Sequence, residues 1–390
     1  MPDRIYDVVL VGATGFAGGL TAQYLARHAP TGLRWAIAGR SLTKLETVRG
    51  GLAALDANLT GLPLITADSA DRIALRDLAE STRVVVSTVG PYVVHGEPLV
   101  AACAAAGTAY LDLTGEPEFV DTMYLRYHDQ AARTGAKLIH ACGFDSVPHD
   151  LGAYFTVQQL PAGVPISMRG YVQSSAAISG GTLASTLIAF SRARANAAAA
   201  RERRSVEQRP QDRSARAIAG RPHRVAATGG WALPLPTIDA QIVARSARAN
   251  ARYGPQFRYS HFLSVPHAWT AASVAGGAAG LFALAQIPAA RRAVQRRIPQ
   301  GSGPSDDKRA RSWFRVTFVG DGGGRQVVTR VSGGDPGYDE TARMLGEAAL
   351  CVAQDELPAG AGQLTTVTAM GDALLSRLTR AGIEFEVLPG

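Results

Sequence analysis

Cysteine and charge are scarce in this sequence of 390 residues. Its three cysteines, Cys103, Cys142 and Cys351, lie far apart and include no Cys-x-x-Cys pair, which argues against a disulfide framework and a structural zinc site. We therefore predict a reducing compartment and no metal site. Charged residues make up 18% and hydrophobic residues 46% of the chain, which is too little charge for a disordered protein and enough apolar matter for packed cores.

The sequence also lacks a recognisable targeting pattern. Residues 1–15 contain no basic segment followed by an apolar stretch and a small-residue cleavage site, so we expect a cytoplasmic protein. The apolar stretch 268–290 contains three glycines, Gln286 and Pro288, which argues against a transmembrane helix. Residues 268–297 are then either a peripheral contact with the inner face of an anionic membrane or a buried or interface helix.

The net charge of +8 comes mainly from two stretches of the sequence. Residues 192–224 hold ten arginines against three acidic residues, and residues 291–311 hold seven basic residues against two acidic ones. Neither stretch interleaves aromatic side chains with its charges, so we predict no nucleic-acid partner. Each is either a solvated surface loop or a docking patch for an acidic protein or an anionic lipid surface.

Short apolar segments rich in β-branched residues alternate with helical patterns over the first 150 residues. This alternation predicts an α/β fold, a Rossmann-type doubly wound parallel sheet with right-handed crossovers. The predicted strands are residues 5–11, 33–38, 62–66, 83–89, 109–113 and 136–142.

The pattern changes near residue 150, and a chain of 390 residues exceeds what one hydrophobic core usually serves. We predict a Rossmann domain at 1–150 and a second, α+β domain at 151–355 with a basic, Ala/Arg-rich excursion at 191–230. Two strand patterns around the glycine-rich turn 321–324 predict an antiparallel sheet in the second domain. Residues 356–390 are predicted to return to the Rossmann domain.

Three glycines follow the first predicted strand at intervals of three residues. Gly12, Gly15 and Gly18 form Gly-x-x-Gly-x-x-Gly at the start of a predicted helix. In this context glycine permits the sharp turn, the close approach of the backbone to a pyrophosphate and the packing of helix on strand. We therefore predict a dinucleotide site whose contacts are Gly12, Ala13, Thr14, Gly15, Phe16 and Gly18.

The end of the second predicted strand distinguishes NADP from NAD. An NAD enzyme places an acidic residue there for the ribose 2′-hydroxyl, whereas this sequence has Arg40, followed by Ser41 and Lys44. Arg40 offers a planar set of donors to a 2′-phosphate, so we predict NADP as the cofactor; the alternative is a surface cation at the strand end. Asp68, after the third strand, is either a contact of the adenine edge or, like Ser69, a helix N-cap.

The loop after the fourth predicted strand is expected to border the nicotinamide, because ligands of this fold lie outside the carboxyl ends of the strands. Thr88, Val89, Gly90 and Pro91 are therefore predicted cofactor contacts. The alternative is a Gly-Pro turn without ligand contact.

Two other classes of dehydrogenase share the glycine pattern, and each depends on particular catalytic residues. Short-chain dehydrogenases need a tyrosine and a lysine four residues apart on one helix face, and this sequence has no such pair. Semialdehyde dehydrogenases use a cysteine nucleophile, for which Cys142 at a strand end is the candidate. The alternative for Cys142 is a buried, inert thiol.

Six blocks of the sequence occur in a familiar order. They are VGATGFAGGLTAQYL (11–25), AGRS (38–41), STVGPYVVHGEPLVAACAAAGTAYLDLTGE (87–116), ACGFDSVPHDLG (141–152), SGGTLAS (179–185) and AMGDALLSRL (369–378). With these blocks the chain resembles the saccharopine dehydrogenase-like oxidoreductases, especially their branch of trans-acting enoyl reductases of lipid-making polyketide synthases. The resemblance implies a two-domain fold, NADPH as hydride donor, and reduction of a carbon–carbon double bond in an acyl chain attached to a carrier domain.

The resemblance also implies which residues lie near the nicotinamide. Cofactor contacts are implied for Cys142 and Gly143. The second domain would present the polar residues Asp145, Ser146, His149 and Thr182. For Asp145, Ser146 and Thr182 the alternative is a helix cap.

Reduction of an enoyl thioester needs hydrogen-bond donors for the developing enolate and a proton for its α-carbon. The candidate catalytic residues are Tyr92, His95, Asp145 and His149. The expected partners are a small-molecule or carrier-bound acyl substrate, an acyl carrier domain or polyketide synthase, and a second copy of the chain in a homodimer. The alternative functions are reduction of an imine or amino-acid adduct and NADP binding without turnover, as a sensor or scaffold.

Overall fold

The computed structural model describes residues 4–176, 187–287, 289–290, 293 and 304–389. Thr182 and the block 179–185 lie outside the described residues, as do most of residues 288–297. The chain divides into two compact units. The first unit is Met1–Gly143 with Tyr338–Leu378, and the second unit is Phe144–Gly337 with Thr379–Gly390.

Strands and helices are numbered along the chain. The strands are β1 Tyr6–Val11, β2 Trp35–Gly39, β3 Leu64–Thr66, β4 Thr82–Ser87, β5 Ala109–Asp112, β6 Lys137–Ile139, β7 Ile166–Ser174, β8 Ser214–Ala217, β9 His223–Val225, β10 Gly230–Pro234, β11 Gln256–Val265, β12 Phe314–Gly322, β13 Arg325–Gly333, β14 Gly362–Leu364 and β15 Glu384–Leu388. The helices are α1 Phe16–His28, α2 Leu42–Ala53, α3 Arg72–Ser81, α4 Tyr92–His95, α5 Glu97–Ala106, α6 Pro117–Thr134, α7 Val147–Gln158, α8 Ala193–Val206, α9 Ile238–Ala249, α10 Ala268–Ala285, α11 Asp306–Ala310, α12 Asp339–Gln354 and α13 Thr366–Arg380. Short 3-10 helices occupy Ala57–Gly61 and Ala251–Tyr253.

The first unit contains a parallel sheet with the strand order β14-β6-β5-β4-β1-β2-β3. The six strands from β1 to β6 have the order of a Rossmann fold, which confirms the predicted fold class. The central strand β1 is apolar because it is covered on both faces, and Val8, Val9 and Leu10 have no exposed surface. This sheet places the carboxyl ends of β1, β2 and β4 side by side.

Helix α12 packs in the first unit, whereas the sequence analysis assigned residues up to 355 to the second domain. The Tyr24 hydroxyl of α1 donates a hydrogen bond to Oε1 of Glu347 over 2.7 Å. The ring of Tyr24 lies where a side chain at Gly346 would stand, since a Cβ there would be 2.4 Å from it. The helical pattern of α12 indicates which face is apolar but not which core that face meets, and this explains the misplaced boundary.

The second unit contains a mixed sheet with the order β15-β13-β12-β7-β11-β10-β9, and β8 pairs with β11. β12 and β13 form an antiparallel hairpin around Gly323 and Gly324, whose φ angles of +59° and +77° suit glycine. The predicted hairpin and its antiparallel sheet are therefore confirmed.

The final strand β15 corrects a further boundary. Residues 356–390 are predicted to return wholly to the first domain, but β15 pairs with β13 in the second sheet, with Val331 opposite Phe385. Arg330 and Glu386 form an ion pair across these strands at 2.6 Å. Strand propensity at the end of the chain gives no information on which sheet edge accepts the strand.

The basic stretch 191–230 is not a separate excursion. Its strand β8 runs parallel to β11, and its strand β9 runs antiparallel to β10. Glu207 joins this stretch to α9, because its carboxylate lies 2.7 Å from a guanidinium nitrogen of Arg203 and 2.8 Å from one of Arg248. Ion pairs of this kind compensate for the weak apolar pattern that suggested an exposed loop.

Helix α10 is exposed although its residues are apolar. Among the described residues, this helix is long and apolar enough to cross a membrane by length and composition. The mean hydropathy of its 18 residues is 1.4, and 11% of them are buried. Trp269 is 69% exposed and Phe282 is 45% exposed. Within the described residues the helix contacts β10 and β11, and the ring of Phe282 contacts that of Phe190, but most of its apolar surface stays exposed.

Candidate nucleotide-binding site

The glycine motif forms the turn between β1 and α1. Gly12 has a φ of +91°, and a Cβ at this position would lie 2.7 Å from Oγ1 of Thr88. A Cβ at Gly18 would lie 2.1 Å from the carbonyl oxygen of Gly12. The first and last glycines of the motif are thus required by backbone conformation and by helix–strand packing.

The amino end of α1 has the properties of a phosphate site. Its N-cap residue Gly15 provides no side-chain cap, and its first turn contains no acidic residue. First-turn amides of a helix lack partners within the helix, and the helix dipole favours an anion there. Thr14 and Gly15 are exposed at this turn, whereas the Ala13 side chain is buried, so Ala13 can offer only its backbone.

Arg40 stands directly after β2 and is exposed. Within the described part of the chain it has no ion-pair partner. Ser41 is the N-cap of α2 and accepts a hydrogen bond from the Lys44 backbone N–H over 3.4 Å, while the Lys44 side chain is exposed. Within the described residues Lys44 also has no ion-pair partner, so two cations lie at a helix N-terminus, at the strand end where NADP enzymes bind the 2′-phosphate.

Asp68 shapes the turn before α3. Its Oδ1 accepts the N–H of Ala70 over 2.9 Å. The N-cap of α3 is Asp71, which accepts the N–H groups of Ile73 and Ala74. The alternative that Asp68 or Ser69 caps this helix is therefore wrong, and the contact between Asp68 and the adenine stays a prediction.

Thr88 connects the loop after β4 to the glycine turn. Its hydroxyl lies 3.2 Å from the carbonyl oxygens of both Val11 and Gly12. The peptide bond between Gly90 and Pro91 is cis. These contacts hold the loop at the carboxyl end of the sheet, next to the turn that would bind the pyrophosphate.

Tyr92 is buried, and its hydroxyl is used inside the first unit. The hydroxyl donates to the carbonyl of Ser87 over 3.0 Å and accepts the N–H of Leu113 over 3.2 Å. Burial, with the nearby charge of Asp112, raises the pKa of Tyr92 well above its usual value. This placement argues against the catalytic role that the sequence suggested for Tyr92, because its one proton is already donated.

Sequence reasoning missed a buried polar network at the ends of β5 and β6. Oδ2 of Asp112 lies 2.7 Å from Nδ1 of His140, and Oδ1 accepts the N–H groups of Thr114 and Ala141 over 3.0 Å. Ala141 has a φ of +59°, which is rare for a residue with a side chain. The signal was an ionisable residue, Asp112 or His140, in each of two apolar strand endings, YLDLTGE and LIHAC.

Glu116 belongs to the same region of the first unit. Its carboxylate accepts the N–H of Tyr92 over 3.0 Å and that of Val93 over 2.8 Å, so it caps the short helix α4. Burial raises the pKa of Glu116, and the two backbone hydrogen bonds only partly oppose this shift.

Cys142 is fully buried after β6. Its N–H donates to the Asp112 carbonyl over 2.6 Å, and its thiol lies 3.4 Å from the Ile139 carbonyl. Burial, together with the charge of Asp112, raises the pKa of the thiol well above its usual value. These observations favour the inert-thiol alternative over a nucleophile. Gly143 is tightly packed, since a Cβ there would lie 2.7 Å from the Leu113 side chain.

The other candidate catalytic residues lie in different units. His95 is exposed on α4 of the first unit, whereas Asp145 and His149 belong to the second unit. Asp145 is exposed, but surrounding protein atoms desolvate its carboxyl group and raise its pKa to about 6.

His149 lies in a buried cluster of the second unit with Asp239 and His261. Burial lowers the pKa of His149 well below its usual value, with a smaller effect of His261, and it lowers the pKa of His261 to about 3. The pKa of Asp239 is raised by burial and by the charge of Asp145. This is the group of described residues that could hold a metal ion, although the sequence analysis predicted no metal site.

Comparison with known proteins identifies the family. Residues 8–139 match the family model described as the saccharopine dehydrogenase NADP binding domain. A curated relative from Mycobacterium tuberculosis, named as a trans-acting enoyl reductase, is 41% identical over 415 residues, which cover 98% of this chain and 97% of the relative. The chain belongs to the saccharopine dehydrogenase-like family of trans-acting enoyl reductases. Family members named in the same way from Mycobacterium ulcerans and Mycobacterium bovis are 37% and 38% identical, and each covers at least 97% of both chains.

A solved structure has the same fold as this family member. Saccharopine dehydrogenase (L-Glu forming) from Saccharomyces cerevisiae superposes with a TM-score of 0.57 at 12% identity, covering 98% of this chain and 100% of that one. The predicted cofactor and enzyme class are confirmed: the chain is an NADP-binding oxidoreductase. The residues described above fit this cofactor, because side chains at Gly12 and Gly18 would clash with the turn and, within the described residues, Arg40 and Lys44 have no ion-pair partner.

Proposed function

We propose that this chain reduces the carbon–carbon double bond of an acyl thioester bound to a carrier domain, with NADPH as the reductant. Relatives of nearly the same length are named trans-acting enoyl reductases. One observation supports the choice of cofactor: the N-terminus of α1 has no side-chain cap, and Arg40, at the end of the neighbouring strand β2, has no ion-pair partner among the described residues.

The proposed contacts of NADP follow the first sheet. The first-turn amides of α1, beginning at Phe16, would bind the pyrophosphate, with Gly12, Ala13, Thr14, Gly15 and Gly18 forming the turn beneath it. Arg40, Ser41 and Lys44 would bind the 2′-phosphate. The adenine would meet Asp68, and the proposed contacts nearer the nicotinamide are Thr88, Val89, Gly90, Pro91, Cys142 and Gly143.

NADPH supplies a hydride, which in this reaction goes to the β-carbon of the substrate. The electrons of the double bond move toward the thioester oxygen, and a proton must then reach the α-carbon. Tyr92 is occupied by two backbone hydrogen bonds, so it is a weak candidate for this proton. Of the residues suggested by the sequence, we propose Asp145 and His95, because both are exposed and Asp145 has a pKa of about 6.

The test follows NADPH absorbance in a stopped-flow instrument. The protein is mixed with enoyl thioesters or with a keto acid and an amine. We expect oxidation with the enoyl thioester, faster when the acyl chain is on a carrier domain than on a small thiol. Turnover only with the keto acid and amine would instead support imine reduction, and tight binding without oxidation would support a sensor or scaffold.

We further propose that the exposed helix α10 binds the surface of an anionic membrane from the cytoplasm. Its support is the large exposed fraction of Trp269 and Phe282, together with the basic residues that follow in the sequence. Flotation with vesicles containing anionic lipid should recover the protein, and replacing Trp269 and Phe282 by serine should abolish recovery. A different result would assign this helix to a homodimer interface. In that case the wild-type protein would not bind vesicles and would sediment as a dimer, and the double variant would sediment as a monomer.

A further inference from the structure

Three metal-ligating side chains meet inside the second unit, each from a different element. His149 comes from α7, Asp239 from the first turn of α9 and His261 from the middle of β11. Their exposed fractions are 2%, 4% and 4%. One ligand atom from each lies within 4.8 Å of the ligand atoms of the other two.

The spacing of these atoms is too wide for direct hydrogen bonds. Nε2 of His149 lies 3.5 Å from Oδ1 of Asp239, and Nε2 of His261 lies 3.7 Å from Oδ2. Hydrogen bonds between nitrogen and oxygen span about 2.7–3.2 Å, whereas ligand atoms on a tetrahedral Zn²⁺ with bonds of about 2.0–2.1 Å stand about 3.3 Å apart. Two imidazole nitrogens and a carboxylate are therefore spaced more like ligands of one ion than like hydrogen-bond partners.

The cluster also leaves buried polar atoms without partners. Nδ1 of His149, Oδ1 of Asp239 and Nε2 of His261 make no hydrogen bond within the described structure. No lysine or arginine of the described residues pairs with Asp239, whose ionic neighbours are the two imidazoles. Of these three atoms, Oδ1 of Asp239 and Nε2 of His261 face the space between the side chains, and leaving them unsatisfied costs free energy that a cation bound there would offset.

Neighbouring residues orient two of the three side chains, those of His261 and Asp239, as outer partners orient metal ligands. The Tyr259 hydroxyl lies 2.9 Å from Nδ1 of His261, and Nδ1–H donating to this oxygen leaves the Nε2 lone pair directed at Asp239. A Cβ at Gly170 would be 2.2 Å from that hydroxyl, so glycine makes the room that Tyr259 needs. The Thr237 hydroxyl donates to Oδ2 of Asp239.

We propose that His149, Asp239 and His261 form a site for one divalent transition-metal ion, with Zn²⁺ as the best match. Two histidines and one carboxylate, with a fourth position open to water, are the donor set of zinc sites that keep an open position. The ion connects α7, α9 and β11, and it stabilises the folded second unit because the unfolded chain lacks the arranged ligands. None of the three ligands is a residue proposed above to supply the proton, although the charge of Asp145 acts on Asp239.

The test uses the full-length protein with any affinity tag removed. The protein is stripped with a chelator and titrated with Zn²⁺ against a chromophoric competitor, and Co²⁺ is added to a second sample. We expect one Zn²⁺ per chain and the strong visible absorption of four-coordinate Co²⁺. No stoichiometric Zn²⁺ binding, or only the weak absorption of six-coordinate hydrated Co²⁺, would overturn the proposal.

Variants locate the ion. Asp239→Asn keeps the shape of the side chain but removes its charge, and should weaken Zn²⁺ binding by more than the roughly 10–100-fold that loss of an outer partner costs. Tyr259→Phe should weaken Zn²⁺ binding by an amount within that 10–100-fold range. This second variant keeps the test possible if Asp239→Asn fails to fold. The matched control is His223→Gln, because His223 also contacts a tyrosine hydroxyl, that of Tyr171 at 3.0 Å, but lies outside the cluster. Equal Zn²⁺ affinity of Asp239→Asn and the wild type would refute the assigned ligands.

Discussion

Two buried histidine–carboxylate groups, one in each unit, differ in how completely they are hydrogen-bonded. In the first unit both oxygens of Asp112 have partners, with His140 at 2.7 Å, and one ring nitrogen of His140 remains without one. In the second unit, Asp239 stands 3.5 Å and 3.7 Å from His149 and His261, and three polar atoms lack partners. A closed network holds backbone in place, whereas an open one has capacity left for a ligand.

Removing the carboxylate should affect the closed network most. Asp112→Ala leaves the ring N–H of His140 and the N–H groups of Thr114 and Ala141 buried without an acceptor. We expect the free energy of unfolding to fall by at least about 3 kcal/mol, at about 1–3 kcal/mol per orphaned donor. Urea denaturation of metal-free protein should show a much smaller loss for Asp239→Asn. Equal losses would erase the distinction between the two groups.

Arg40 is a charged group at the surface that has no ion-pair partner among the described residues, and it can be compared with the two buried groups. Arg40→Asp removes a charge-assisted contact with the 2′-phosphate, worth about 1.5–3 kcal/mol, and adds repulsion. NADPH should therefore bind at least about 10-fold more weakly, while NADH is little affected. Calorimetry measures both nucleotides, with Arg49→Asp on α2 as the control. Equal weakening of the two nucleotides would contradict the assigned role of Arg40.

In the second unit Glu207 forms ion pairs with Arg203 and Arg248. The contribution of Glu207 to the free energy of unfolding should depend on pH. Burial alone would raise the pKa of Glu207, but the charge of Arg203 and its hydrogen bond, with Arg245 and Arg248, lower it. The folded state then binds this proton less tightly than the unfolded state, whose pKa is about 4.3. The stability that Glu207 contributes is present above that pH and is lost as the pH falls through the folded pKa. Urea midpoints between about pH 3 and 7 should fall less steeply in acid for Glu207→Gln; parallel curves would show no contribution.

Alkylation of the protein at Cys142 should have the smallest effect of the tested changes. The thiol has no exposed surface, and its raised pKa keeps it protonated. Treatment of native protein with iodoacetamide near neutral pH should leave Cys142 unmodified, as peptide mass spectrometry would show, and should leave NADPH oxidation unchanged. Rapid modification of Cys142 with loss of activity would restore the nucleophile hypothesis.

Local patterns predicted those parts of the site in which neighbours in sequence act together. The glycine turn, Arg40 and the hairpin of β12 and β13 each lie within a few residues, so their spacing carries the information. The pairing of Asp112 with His140 spans 28 residues and joins two strand ends, and no local pattern reveals which buried polar residues meet.

Distance along the chain also explains why the sequence predicted no metal site whereas the structure leads us to propose one. The absence of cysteine pairs argued against a zinc site, but His149, Asp239 and His261 are 90 and 22 residues apart along the chain, since 239 − 149 = 90 and 261 − 239 = 22. Only the packing of α9 on both α7 and β11 brings them together.

The sequence alone determined the Rossmann sheet and the preference for NADP, because backbone conformation and charge at short range are written in adjacent residues. Tertiary structure decided that α12 packs on α1, that β15 joins the second sheet and that three distant polar side chains share one buried space. Those outcomes depend on which apolar faces and strand edges remain available once the rest of the chain has folded, and a linear pattern does not contain that information.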